Sequence, residues 1–176
     1  IKLDDYYEFR NDIIYIVISK KSIRIGDSAF QGCRSLTEII IPSSIIVIGA
    51  YAFTDCKSLK KIVIPSSVDM IGSYAFYGCS SLIEVSLSSS ISRINENMFE
   101  KCISLNKIII PDSLSEICGE VFRGCSALEN ISIPPSVTQI GDDCFIECSS
   151  LKEITLSSAI DIEYIGLDSK VKIITI

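Results

Sequence analysis

A chain of 176 residues without a single histidine cannot assemble a Ser-His-Asp or Cys-His nucleophile, nor a histidine-based metal site. Hydrophobic residues make up 48% of it and charged residues 22%, which is the composition of a packed domain and not of a disordered chain. A net charge of −6 argues against nucleic acid or an anionic membrane as partner, and no apolar run reaches the roughly 20 residues needed to cross a bilayer.

Residues 1–24 read as a divergent first coil that caps the N-terminal end. Ile13, Ile16 and Ile18 lie 23 residues before Leu36, Ile39 and Ile41, which predicts a strand near Ile13–Ile18. Upstream, Tyr6, Tyr7 and Phe9 supply aromatics that could cover an open core end, as a terminal repeat must. The opening IKLDDYYEF shows no signal-peptide pattern and begins without Met, so a fragment of a longer protein stays open as a reading.

From residue 25 to 162 one 23-residue unit returns six times without insertion. Phe30, Phe53, Phe76, Phe99, Phe122 and Phe145 keep that step, and so do Cys33, Cys56, Cys79, Cys102, Cys125 and Cys148. Such a period, with its L-x-x-I-x-I core, marks a leucine-rich-repeat solenoid. Within a unit, Ala52, Phe53 and Cys56 have the spacing of one face of a short helical turn, with Asp27, Ser28, Ser73, Asn97, Asp142 and Asp143 as N-cap candidates. Leu59, Ile62 and Ile64 then alternate as the inner face of a strand, and Pro65 closes it, as Pro42, Pro111 and Pro134 do elsewhere. Gly26, Gly49, Gly72 and Gly141 share one bend, read as a place for unusual backbone angles. After Ile160 the register fails, so residues 163–176 form a shortened C-terminal coil or cap that ends on a strand at Val171–Ile176.

IGDSAFQGCRSLTEIIIPSSIIV at Ile25–Val47 and IGSYAFYGCSSLIEVSLSSSISR at Ile71–Arg93 closely resemble the BspA-like, or Treponema-type, leucine-rich repeats. Local departures are Met98, Val121 and Cys144 in place of the Ala, and Ser88 and Ser157 in place of the Pro. The resemblance implies an α/β solenoid: a right-handed horseshoe with a parallel β-sheet on the concave face and short helical turns on the other side. It also implies a non-enzymatic protein-binding role, often as a surface adhesin, and so favours a secreted or cell-surface location.

Eight cysteines raise three readings, and their column in an apolar layer favours buried thiols over rung-to-rung disulfides or a metal site. Unpaired thiols suit a reducing compartment, which leaves a cytoplasmic location open. No cofactor motif is present.

Function is expected on the strand face that points outward. One column there runs Glu38, Lys61, Glu84, Lys107, Asn130, Glu153, and its companion runs Ile40, Val63, Ser86, Ile109, Ser132, Thr155. Alternating charges on neighbouring strands stabilise a sheet, whereas exposed Ile40, Val63 and Ile109 point to a contact site for a protein partner. Glu38 and Glu84, two coils apart, are expected about 10 Å from each other with Lys61 between them, beyond the spacing of a glycosidase pair. Ile46, Val47 and Met70 are read as packing under residues 1–12 in preference to a second patch, and Tyr51, Tyr74 and Tyr77 as surface packing on the helical side in preference to a ligand clamp. Two functions follow: a surface or matrix-protein-binding module, or an intracellular scaffold that docks on an enzyme such as a phosphatase or kinase.

Overall fold

A computed structural model describes residues 10–176, so Tyr6, Tyr7 and Phe9 lie outside the described residues. Each coil up to Ile140 contributes two short strands because its buried apolar residues come in two clusters separated by turns, and the last two contribute one each. The longer strands form the main ladder: β1 (Tyr15–Val17), β3 (Glu38–Ile40), β5 (Lys61–Val63), β7 (Glu84–Ser86), β9 (Lys107–Ile109), β11 (Asn130–Ser132), β13 (Glu153–Leu156) and β14 (Lys172–Thr175). Two-residue strands form a second ladder that the sequence did not suggest: β2 (Arg24–Ile25), β4 (Val47–Ile48), β6 (Met70–Ile71), β8 (Arg93–Ile94), β10 (Glu116–Ile117) and β12 (Gln139–Ile140). Every pairing is parallel and advances by one coil, as in Lys61↔Glu84↔Lys107. The result is a β-solenoid. No helix among the described residues is long and apolar enough to cross a membrane.

The expected helical turns are absent: among the described residues the only helix is a single 3-10 turn at Arg10–Asp12. Ala52, Phe53 and Cys56 do point inward and are fully buried, but the chain around them is a run of turns. The reason lies in the backbone hydrogen bonds. Thr54 and Cys56 donate within the turn to Tyr51 and Phe53, while Phe53 and Asp55 donate across to Ala75 and Tyr77 of the next coil. A helix would satisfy all of these donors internally and leave nothing to join the coils. Alternation between the two partners needs left-handed residues, and two columns provide them: Ser28, Tyr51, Tyr74, Asn97, Glu120 and Asp143, and then Gly32, Asp55, Gly78, Lys101, Gly124 and Glu147. The N-cap reading therefore fails, since Ser28, Asn97 and Asp143 have φ near +55° where a cap residue is extended.

The Gly26/49/72/141 column serves a different need from the expected one. None of these glycines has positive φ. Instead, a Cβ on Gly72 would fall 2.4 Å from the Ala50 nitrogen, and one on Gly141 would fall 2.4 Å from the Gly119 nitrogen. These glycines let adjacent coils approach closely enough for Gly72 N–H to donate to the Ile48 carbonyl at 2.9 Å. Asn95 holds the same place with a side chain. There the Asn95 amide, and not the backbone, reaches the Ile71 carbonyl, and the second ladder is open between β6 and β8.

The core is a set of columns. Phe53, Phe76, Phe99 and Phe122 are fully buried and stack at centroid distances of 5.4 to 5.9 Å. All eight cysteines are buried and free. The column has a reason beyond packing, because the thiols of Cys56, Cys79, Cys102, Cys125 and Cys148 each donate to the carbonyl of the Phe one coil back, as Cys79 does to Phe53 at 3.1 Å. Alanine would fill the space but remove the second donor to that carbonyl, which also accepts a backbone N–H within its own coil, as Phe53 does from Cys56. A serine column does similar work, with Ser44, Ser67 and Ser113 donating to carbonyls of the preceding coil at 2.7 Å. Where Pro gives way to Ser88 and Ser157, the hydroxyl accepts from the backbone two residues on and shapes the turn by itself.

Candidate functional site

The twelve outward residues expected to carry function fall on one face of the main ladder, because the alternation of each strand turns Ile39, Ile62, Val85, Ile131 and Ile154 to the core. Register joins them in blocks. Glu38 pairs with Tyr15, Glu84 with Lys61 on one side and Lys107 on the other, and Glu153 with Asn130 on one side and Lys172 on the other. Beside that column, Ile40 pairs with Val17, Ser86 with Val63 and Ile109, and Thr155 with Ser132 and Ile174.

Charge is strongly organised at the centre of this face. Glu84 receives Lys61 Nζ at 2.9 Å and Lys107 Nζ at 2.8 Å. Hydrogen bonds from Lys107 first and Lys61 second hold the Glu84 carboxyl at about 2, well below its ordinary 4.5. Lys172 closes on Glu153 at 2.9 Å. Glu38 is left out of the pattern: Lys61 turns to Glu84, and Glu38 has no ion pair among the described residues.

The face is also interrupted. No ladder pairing joins β3 to β5 or β9 to β11 among the described residues. A cleft of 560 Å³ opens at the first break, with Glu38, Ile40, Lys61, Val63 and Pro65 in its wall. A second of 380 Å³ opens at the other, walled by Ile109, Asp112, Ser132 and Pro134. Apolar side chains remain in water along this face, with Val17 at 64%, Val63 at 57% and Ile109 at 58% exposure. Tyr15, Val17 and Lys172 join the same face without belonging to the regular repeats. For the first two, a 23-residue step back from Glu38 and Ile40 would have found them; the shortened last coil hid the third.

Elsewhere the expectations divide. Met70 and Ile46 are exposed, and the part of the 1–12 segment expected to cover them lies largely outside the described residues. Tyr51 and Tyr74 stack on the turn face at 4.8 Å, with Tyr77 tilted against Tyr74 at 5.9 Å. Lys101 Nζ donates to the Tyr77 hydroxyl at 2.6 Å. Tyr51 and Tyr74 hold φ of 57° and 60°, a conformation that costs a side chain of this kind about 1–2 kcal/mol. Burial pushes up the thiols of Cys79, Cys102 and Cys125, and that of Cys148 to about 12. The apolar column therefore holds no ready nucleophile.

Comparison with known families matches a BspA type leucine rich repeat region, in 6 copies, over residues 3–129 and 70–170. The chain belongs to the BspA-type leucine-rich repeat family. Solved relatives agree with this repeat assignment. A leucine-rich repeat protein from Bacteroides ovatus is 28% identical with a TM-score of 0.62, over 90% of this chain and 44% of that one. The Treponema pallidum leucine rich repeat protein is 30% identical with a TM-score of 0.59, over 82% of this chain and 59% of that one. A leucine rich cell surface protein from Faecalibacterium prausnitzii shares the fold at 23% identity and a TM-score of 0.56, over 92% of this chain and 65% of that one. This BspA-type chain thus spans about half the length of the first two. A comparison with curated proteins finds no match.

Proposed function

We propose that this BspA-type domain is a protein-binding module, that its main-ladder face is the contact surface, and that it serves at a cell surface as an adhesin or matrix-binding domain. The observation that carries the reading is the exposed apolar column Val17, Ile40, Val63 and Ile109 beside a column of fixed charges. Buried apolar anchors supply the binding energy of most interfaces, while charges at their rim set orientation and partner choice. Glu38, Ile40, Lys61, Val63, Glu84, Ser86, Lys107, Ile109, Asn130, Ser132, Glu153 and Thr155 would form the contact surface. The surface location draws on the cell-surface description of the Faecalibacterium relative. A second reading, an intracellular scaffold docked on an enzyme, draws on the eight free cysteines.

Pull-downs from cell lysate and from extracellular matrix, run side by side with wild-type protein and a Glu38→Lys/Val63→Asp variant, test both readings. Capture of a matrix protein that the variant loses supports the first, and capture from lysate alone supports the second. Retention by the variant in both arms moves the contact to another surface.

A further inference from the structure

We propose that the turn face carries a second binding site, independent of the ladder wall: a tyrosine platform at Tyr51, Tyr74 and Tyr77 that takes an uncharged pyranose carbohydrate. Its backbone is the first argument. Tyr51 and Tyr74 occupy a left-handed position where the other coils place Ser28, Asn97, Glu120 and Asp143, polar residues of which all but Glu120 are short. Large aromatics in two adjacent coils contradict that local preference, and conflicts of this kind collect where a protein binds something.

Geometry is the second. The Tyr51 and Tyr74 rings lie within 10° of parallel, so one face of Tyr51 rests on Tyr74. Its opposite face meets no aromatic among the described residues, and the equivalent residue one coil back is the small Ser28. Tyr51 is 41% exposed. A flat apolar ring is therefore open to a ligand that also brings a flat apolar face.

The surrounding charge selects the ligand class. Asp27 is met by Arg24 at 3.7 Å, Asp55 by Lys57 at 3.7 Å, and Glu100 by Lys101 at 3.5 Å. Glu96 and Glu120 are likewise met by Arg93 at 3.9 Å and Arg123 at 2.6 Å, and a cation beside each of these acids weakens its pull on a guanidinium. The chain's charge of −6 disfavours a stacked nucleotide with its phosphates. What the rim offers is hydrogen bonding: the Ser28 hydroxyl and the Gln31 side-chain amide have no partner among the described residues. A pyranose matches both features, with C–H groups on one face for the ring and hydroxyls at its edge for the rim.

Native electrophoresis of the full chain through gels containing hydroxyethyl cellulose, pullulan, laminarin or galactomannan tests this, with anionic polygalacturonate as comparison. At least one neutral polysaccharide should retard the wild-type protein. Tyr51→Ser, which installs the residue used one coil back, should weaken that retardation about tenfold, whereas Tyr51→Phe should keep it. The Glu38→Lys/Val63→Asp variant should be retarded like wild type, so this test and the protein-binding test can fail separately. Lack of retardation in every neutral gel, an unchanged Tyr51→Ser, a loss in the ladder variant, or preference for polygalacturonate would each overturn the proposal.

Discussion

Replacing Gly72 with Ala should destabilise the domain, while the same change at Gly26 should not, although both glycines hold one place in the repeat. At Gly72 the added Cβ meets the Ala50 nitrogen at 2.4 Å, the Ala50 Cα at 2.7 Å and the Gly49 carbonyl carbon at 2.9 Å. These are backbone atoms of the neighbouring coil, so two coils must part by about 1 Å to restore ordinary contact. Overpacking of this kind costs about 1–3 kcal/mol, and the stiffer unfolded chain returns about 0.4–1 kcal/mol, so contacts as short as 2.4 Å with backbone, at the upper end of that cost, leave a net loss of about 2 kcal/mol. Among the described residues nothing lies within 4 Å of a Cβ at Gly26, and its φ is not positive, so Gly26→Ala should be neutral or stabilising by up to about 1 kcal/mol. Urea unfolding followed by far-UV circular dichroism measures both. Equal losses at the two sites would mean that backbone angle and not coil spacing sets the requirement, and no loss at Gly72 would mean that the coils are slack.

Phe99→Ala should cost about 3–5 kcal/mol in the same assay, and clearly more than Phe30→Ala, because Phe99 is fully buried between two rings while Phe30 is only partly buried at the end of the column. With Glu84 held at about 2 against an ordinary 4.5, its contribution to stability is complete above pH 4.5 and disappears as pH falls toward 2. Carboxylate NMR should place its midpoint near 2, and Lys107→Met should move it upward; an unmoved midpoint would refute the lysine clamp. Ellman's reagent at pH 8 should leave the eight buried thiols unmodified in native protein and titrate all of them in urea. Prompt reaction of several native thiols would contradict the buried column.

The inner face of this solenoid is legible in the sequence because burial repeats at fixed steps: Phe, Cys, Leu and Ile stand where the 23-residue period puts them. The outer column of the main strands follows from simple alternation. Hydrogen bonding between coils leaves a fainter trace. Ala52, Phe53 and Cys56 have a spacing that a helix and a run of turns share, and only the left-handed partners distinguish the two. Gly32, Gly78 and Gly124 mark one left-handed column, but Asp55, Lys101 and Glu147 alternate with them and mask it. Gly72 reads as a flexible hinge in sequence, whereas its neighbours reveal a clearance requirement. Glu38 could not be distinguished from Glu84 beforehand, because whether a lysine leans up or down the stack depends on the break between β3 and β5.

Those breaks fall in different places on the two ladders. Where the main ladder opens between β3 and β5, the second remains joined through β4 and β6; where it opens between β9 and β11, β10 and β12 hold. The break between β6 and β8 is bridged in turn by β5 and β7. Seams are offset as in brickwork, so no single slip plane runs through the molecule, and under tension it should yield by gradual bending before any one joint parts.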